Sequence, residues 1–519
     1  MTRRLAGAAF WILLALLVVA NALVMWHSLT VLRLWEDEAF NLTVPRNLVA
    51  GLGYTSDGTL SGSTLTPFDP RISTGPVVLL PVAGVLMLGV DPVIGARLVP
   101  LAYWVLLLVG CAVLGRRLAG RSGALIAVAL PLAFNTADSV SPIQGPADLL
   151  GEIPAAALIV WALIVLPRRG WLAGLLLGLA VQAKLIALLA LPAFAVALFL
   201  LTPPAPFGRR LVATLRRSLV PLVLVATPTL LIELTALVSL GVAGYRTHLR
   251  ELLGFVRSGG QAGPPTTIPQ KLSLLSDSWF LPSWLVMTAL LLSVIAVLWA
   301  AVPAPLHTFS GHDTTNDVAL RRRWWDRDPH VLALGFGSAI GLLAFVGWWA
   351  QASQLPLWVR HPAVGVYAFA PLLAAVVVRA VQALWARRSR QARGSSRGAH
   401  AARMAARLLA VVSIATLVAV VAGGATADTV RALQPPVTQT LDQQRAAIAP
   451  GAAWVRENHV QWLAAEPWGV ATSYAVLTGA HAGLSDAASM QNVPIVTGSA
   501  CTTGAPLAEG PGAVICPAR

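Results

Sequence analysis

Apolar runs of the length needed to cross a lipid bilayer recur along this chain from Ala8 to Ala425, and that recurrence decides the fold class before any single residue is weighed. A bilayer offers the backbone no hydrogen-bond partner, so each run must satisfy its own backbone as a helix. With 56% hydrophobic and only 11% charged residues, an ordinary soluble enzyme is excluded. The expected architecture is an α-helical polytopic membrane protein.

The formal charge of +15 does not mark a nucleic-acid partner, because the arginines form no continuous basic stripe. They sit in short clusters between apolar runs: Arg3-Arg4, Arg116-Arg117 with Arg121, Arg168-Arg169, Arg209-Arg210 with Arg216-Arg217, Arg321 to Arg323 with Arg327, and the run from Arg387 to Arg407. One threading places every cluster on the cytoplasmic side, as the positive-inside rule requires. It starts inside and crosses at 8–32, 94–115, 122–137, 148–166, 170–184, 186–202, 218–240, 281–302, 329–350, 362–384 and 405–425, about eleven transmembrane helices. The first run is too long for a signal peptide and lacks a cleavage site, so it reads as an anchor. The segment from Pro76 to Val90 is short and interrupted by Gly and Pro, and as a span it would invert every later cluster. It reads as an interfacial helix in the first outer loop.

The C-terminus then lies outside a bacterial cytoplasmic membrane. Residues 1–425 form the transmembrane domain, with outer loop 33–92. Residues 426–519, where apolar runs shorten and turn residues multiply, form a small extracytoplasmic domain of mixed α/β type. In an oxidising compartment Cys501 and Cys516 read as a disulfide closing the last loop, whereas Cys111 lies inside a span and reads as packing. Trp454, Trp462 and Trp468 read as core, or as a stacking surface for a glycan acceptor.

Elimination narrows the chemistry. The only lysines, Lys184 and Lys271, do not follow glycine, so no P-loop exists. No His-Glu pair and no Cys-x-x-Cys occurs, which removes zincin and structural zinc chemistry. What remains is Trp35-Glu36-Asp37-Glu38-Ala39-Phe40 just beyond the first span. Three acids there serve a helix N-terminus, or they supply a general base that takes the proton of an attacking hydroxyl. The apolar positions from Phe40 to Val49, followed by Gly51 and Gly53, predict a short amphipathic helix on the membrane surface that pins the acids beside a lipid-borne substrate.

Taken in order, Asp37-Glu38-x-Phe40, Arg46-Asn47-Leu48 and Gly51-x-Gly53-Tyr54 resemble the first outer loop of the GT-C membrane glycosyltransferases, especially protein O-mannosyltransferases and lipid A aminoarabinose transferases. Ala96-Arg97-Leu98, the turn Gly115 to Arg121, the stretch Gly174 to Lys184, and Arg360-His361 leading to Pro371 continue the likeness. It covers the first 200 residues or so and a patch at 356–375. A departure is Ser73-Thr74-Gly75-Pro76, where the family often carries a His-Pro-Pro turn. By this resemblance Asp37 is the catalytic base, with Glu38 the second candidate. Basic residues hold the lipid phosphate: Lys184, Arg360, His361 and Arg97. Glu152 and Asp138 line the substrate site. Each has a plainer reading: snorkelling for Lys184, an interfacial anchor for Arg360, pairing with arginine or water for Glu152. Glu233, inside a span, has no role assigned.

The implied reaction is a single displacement with inversion, moving a sugar from a polyprenyl-phosphate donor to a hydroxyl on a glycan, lipid or protein acceptor. No cofactor is required, although a divalent Mg or Ca bridging Asp37 and phosphate suits the donor atoms. The near-total preference for Arg over Lys fits a GC-rich genome and places pentose or mannose transfer in an actinobacterial envelope as a context. Competing classes are a transporter or flippase for a lipid-linked sugar, a non-catalytic envelope-assembly subunit, and a lipid-linked polymer ligase.

Overall fold

A computed structural model describes residues 2–58, 65–67, 74–134, 145–257, 265–277, 283–301, 328–352, 360–386, 397–436, 439–466 and 469–518. The chain is a multi-pass helical membrane protein with a small C-terminal sheet domain. Helices α1 (Thr2–Thr30), α2 (Glu36–Val49), α3 (Pro76–Leu86), α4 (Pro92–Ala129), α5 (Glu152–Val165), α6 (Gly170–Ala183) and α7 (Leu191–Leu201) make the first half. Next come α8 (Phe207–Arg257), α9 (Ile268–Asp277), α10 (Ser283–Ala301), α11 (Pro329–Gln351), α12 (Ala363–Ala386) and α13 (Arg397–Ala432). Among the described residues, six helices are long and apolar enough to cross a membrane.

Two breaks fall where the threading puts a turn or a span end. α4 kinks at Ala119 and Gly120, the latter with φ +65°, and α8 kinks at Gly241 with φ +66°. A left-handed backbone costs glycine nothing, so each glycine splits one continuous helical run. α5 and α6 have 14 residues each, short of the ~20 that a lone span needs. α5 is buried along most of its length, packed against α4, α6 and α12, and the non-helical backbone leading into it at 145–151 is buried too. Irregular backbone is tolerated at membrane depth only where protein covers it in this way.

Arg117, Pro167, Arg168, Leu201, Asp328 and His330 line one cavity, of about 320 Å³. Arg117, the turn at Pro167 and Arg168, the end of α7 and the start of α11 therefore border one space. The first outer loop lies at the other end of α4, which begins at Pro92.

After the short antiparallel pair β1 (Thr55–Ser56) and β2 (Thr66–Pro67) of the first outer loop, the C-terminal domain consists of α14 (Leu441–Glu457), β3 (Trp462–Ala465), α15 (Val470–Thr478), β4 (His481–Leu484), β5 (Ile495–Thr497), β6 (Ala508–Gly510) and β7 (Ala513–Cys516). The strand order is β4-β3-β5-β7-β6, with β3 parallel to β4 and β5, and β7 antiparallel to β5 and β6. The α15 crossover is what lets β3 and β4 run parallel. A Thr440–Gln443 capping box starts α14. Cys501 and Cys516 form the expected disulfide, and Cys111 is free and buried. A cross-link spanning 15 positions stabilises its loop by about 3 kcal/mol in the chain-entropy account. Cys501→Ser is expected to speed proteolysis within 498–517 in the full-length protein, with no loss of membrane insertion.

The helix after the acidic cluster forms where expected, but its surroundings differ. Most of it is covered by protein: Glu38 through Pro45 and Asn47 of α2 are buried. α3 covers one side and α15 another. The polar residues that made it look amphipathic instead reach protein partners. Arg46 donates to the carbonyls of Val476 and Gly479 at 2.9 and 2.7 Å, and Asn47 donates to Asp57 at 2.9 Å.

Candidate functional site

Successive residues on a helix point about 100° apart, so three acids in one turn cannot share a target. In the first turn of α2 each takes a different arginine. Glu36 pairs with Arg33 at 3.2 Å, Asp37 with Arg360, and Glu38 with Arg97 at 2.7 Å.

Glu38 and Arg97 are each 1% exposed. Arg97 Nε and Nη2 donate to the two oxygens of Glu38, both at 2.7 Å. Its Nη1 donates to the carbonyls of Leu29 and Leu32 at 3.1 and 2.9 Å, and its Nη2 also donates to that of Arg33 at 3.0 Å. These bonds occupy all five guanidinium hydrogens. Arg97 therefore has no donor left for a lipid phosphate, and Glu38, held at both oxygens, is not available as a base. Both sequence-based roles are corrected: the pair ties α4 to the last turn of α1 and the first turn of α2.

The remaining residues converge. Arg360, at the turn before α12, brings its guanidinium to Asp37 and lies 5.5 Å above the Trp35 ring centre. Lys184 Nζ lies 2.6 Å from Glu152 Oε1. That second pair is assembled by close backbone packing: a Cβ on Gly151 would collide with the Ala183 carbonyl, so only glycine lets the start of α5 meet the end of α6. Lys184 itself is extended, at φ −154° and ψ 120°, where α6 stops. The second oxygen of Glu152 is buried without a hydrogen-bond partner.

His361 joins the same cluster. Its ring nitrogens are buried, and burial together with the charges of Arg360, Lys184 and Lys271 pushes its pKa down from 6.5 to about 3. The imidazole is thus neutral at physiological pH and not a phosphate-binding cation. The unfolded chain binds this proton between pH 6.5 and 3 while the folded one does not, so the stability contributed by neutral His361 is lost as pH falls through that window. His361→Asn is expected to flatten the acid side of the melting-temperature profile in detergent.

Lys271 is the residue that sequence reasoning named without assigning. It is 0% exposed, donates to the carbonyls of Trp349 and Ala352 at the end of α11, and sits 5.6 Å from the Trp349 ring centre. A buried lysine in an otherwise lysine-poor chain is the signal that marks it. Glu233 has its partner within α8, where His248 Nε2 lies 3.2 Å away across the Gly241 kink. Asp138 lies outside the described residues. Among the described residues no group of three His, Cys, Asp or Glu side chains converges to hold a metal ion.

The site is therefore a pair of carboxylates, Asp37 and Glu152, each facing a cation. Cations and buried polar atoms of this kind bind phosphate oxygens, and a carboxylate on the rim accepts a proton.

No protein-family model matches the chain, and no curated protein sequence is significantly similar to it. Solved structures do match. ArnT from Cupriavidus metallidurans bound to undecaprenyl phosphate aligns with a TM-score of 0.52 at 12% identity, over 92% of this chain and 86% of that one. The same protein in the apo state aligns with a TM-score of 0.51 at 14% identity, over 94% and 93%. The oligosaccharyltransferase of Archaeoglobus fulgidus aligns with a TM-score of 0.49 at 14% identity, over 93% of this chain and 69% of that one. At such identities the likeness is one of fold, and the fold is the one that ArnT has.

Proposed function

We propose that this protein is a glycosyltransferase that moves a sugar from a polyprenyl-phosphate carrier to a hydroxyl acceptor at the extracytoplasmic face of the cytoplasmic membrane. The observation that carries the reading is the direct pairing of Asp37 with Arg360 beside the Lys184–Glu152 pair. The four residues come from four separate parts of the chain, and Arg360 and Lys184 are linked by acting together on the charge of His361. The fold shared with ArnT supports the reading, as does the undecaprenyl phosphate bound to that protein.

Asp37 takes the proton of the acceptor hydroxyl, whose oxygen attacks the anomeric carbon as the bond from that carbon to the phosphate oxygen breaks. The attack comes from the face opposite the leaving group and inverts the centre. Arg360 presents a planar fork that can join a carboxylate and a phosphate oxygen, which sets the base at a fixed distance from the leaving group. Lys184 adds a point charge that grows in value as the phosphate gains its second negative charge. Glu152, paired with Lys184 through one oxygen, offers its other oxygen to a sugar hydroxyl. Arg360 and Lys184 supply the charge that a divalent ion would otherwise bring, so chelation with EDTA is expected to leave turnover unchanged.

The test is purified protein given radiolabelled polyprenyl-phosphate mannose or arabinose with a cell-envelope extract. Donor consumption with formation of a product of inverted anomeric configuration is the expected result. If neither donor is consumed, the proposed donor class is wrong. Lys184→Gln is expected to weaken binding of undecaprenyl phosphate about 10–100-fold, the worth of one charge-assisted contact, and to lower the melting temperature because the buried Glu152 loses its partner. Unchanged affinity would remove Lys184 from the phosphate site.

A further inference from the structure

The segment from Val31 to Trp35 is the extended joint between α1 and α2, and Asp37 lies two residues beyond it. α2 has Trp35 at its N-cap and no side-chain cap bond, so its first turn is not fixed by any capping side chain. The joint is held instead from two directions. Arg97 holds the carbonyls of Leu29, Leu32 and Arg33 from within the transmembrane bundle. From the C-terminal domain, Gln444 of α14 meets Leu34 as a paired strand would. Its amide oxygen accepts from the Leu34 N–H and its amide nitrogen donates to the Leu34 carbonyl, each at 2.9 Å. Just beside it the Leu441 N–H donates to the Val31 carbonyl at 2.9 Å, and Thr440 bridges Leu32.

Gln444 and Leu34 are both 0% exposed, so water cannot replace these bonds. The same domain holds the far end of α2 as well. Arg46 reaches Val476 and Gly479, while Asp57 bridges Asn47 to His481 Nδ1 at 2.9 Å and to the Ala482 N–H at 3.0 Å. Among the described residues of that domain, however, only Gln444 makes its hold within three residues of Asp37.

We propose that Gln444 is a positioning residue for the base: through Leu34 the C-terminal domain fixes the first turn of α2 and so the direction in which Asp37 points. The inference rests on Asp37 being the base. A proton acceptor displaced by about 1 Å loses up to 10²-fold in rate, which is the scale on which one lost clamp acts. The domain then contributes to turnover without touching donor or acceptor, and its rigid sheet is what makes the clamp rigid.

The test uses the full-length protein. Gln444→Met keeps the side-chain length and removes both hydrogen bonds. It is expected to lower kcat about 10–100-fold while the Kd for undecaprenyl phosphate stays within about two-fold, because Lys184 and Arg360 are held by other elements. Gln444→Glu separates positioning from packing. A protonated carboxyl reproduces the acceptor and the donor that Leu34 needs, and an ionised one sets a negative charge against the Leu34 carbonyl. Gln444→Glu is therefore expected to turn over faster than Gln444→Met, with its kcat relative to the native protein climbing as pH falls. The inference is overturned if Gln444→Met keeps native kcat, if it loses kcat and phosphate affinity in parallel, or if Gln444→Glu is no better than Gln444→Met at any pH. Asp37→Asn is run beside them. An inactive Asp37→Asn with a fully active Gln444→Met defeats the positioning role alone, whereas an active Asp37→Asn defeats the base assignment and this inference with it.

Discussion

Asp37→Asn is expected to lower sugar transfer about 10²–10⁴-fold, the contribution of a positioned general base. The substitution is nearly isosteric, and its amide oxygen can still accept a hydrogen bond from Arg360, so the local geometry is kept while the proton acceptor is removed. The charge balance changes as well. Native Asp37 competes with a bound phosphate for Arg360, and without the carboxylate Arg360 acts on the phosphate alone. Affinity for undecaprenyl phosphate is therefore expected to rise as transfer falls. That opposite movement separates a base from a structural counter-ion, whose loss would lower stability and affinity together. Single-turnover transfer and equilibrium binding on the same preparation read both quantities. Undiminished transfer would show that another group takes the proton. Among the described residues the neighbouring Glu36 pairs only with Arg33, three residues before it, so Glu36→Gln is expected to change transfer by less than about two-fold.

Much of this arrangement was legible in the amino-acid order, and the part that was not has a common cause. Apolar runs locate helices because lipid leaves the backbone no alternative, and Gly120 and Gly241 fall at a predicted turn and a predicted span end. Asp37, Lys184 and Arg360 stood out as charges at the ends of apolar runs, where charge is costly. Pairing was another matter. Asp37 and Arg360 are 323 positions apart, and only packing brings them together. Arg97 shows the limit: an arginine near the start of a helix reads equally as a phosphate clamp and as half of a buried ion pair. Counting its donors decides between them, and that count exists only in three dimensions. Gln444 was silent for the same reason. It is one of two adjacent glutamines in α14, and its neighbour Gln443 makes a local cap whereas Gln444 crosses to another domain. The burial of the helix after the acidic cluster was silent too, because the C-terminal domain packed on it lies some 430 positions away. Polar residues that find partners across a domain contact have the same spacing as polar residues that face water.

Arg97→Met is expected to destabilise the folded protein by about 3–5 kcal/mol, since it leaves Glu38 as an uncompensated charge in a site 1% exposed. The carbonyls of Leu29, Leu32 and Arg33 lose their donors in the same step, and the joint that carries the acidic turn is freed on the bundle side. Arg97→Lys is expected to recover little. An ammonium has three donors at one point, whereas the native contacts call for a planar fork that serves two carboxylate oxygens and three carbonyls. Removing both charges distinguishes the ion pair from the backbone clamp. In Arg97→Met with Glu38→Gln the buried charge is gone while the carbonyls still lack donors, so the double variant should be more stable than Arg97→Met alone yet less stable than the native protein. The coupling read from detergent melts across the four proteins measures the pair itself. A coupling near zero would mean that Arg97 acts through the carbonyls alone. It would also release Glu38 from its structural role and return it to consideration beside Asp37.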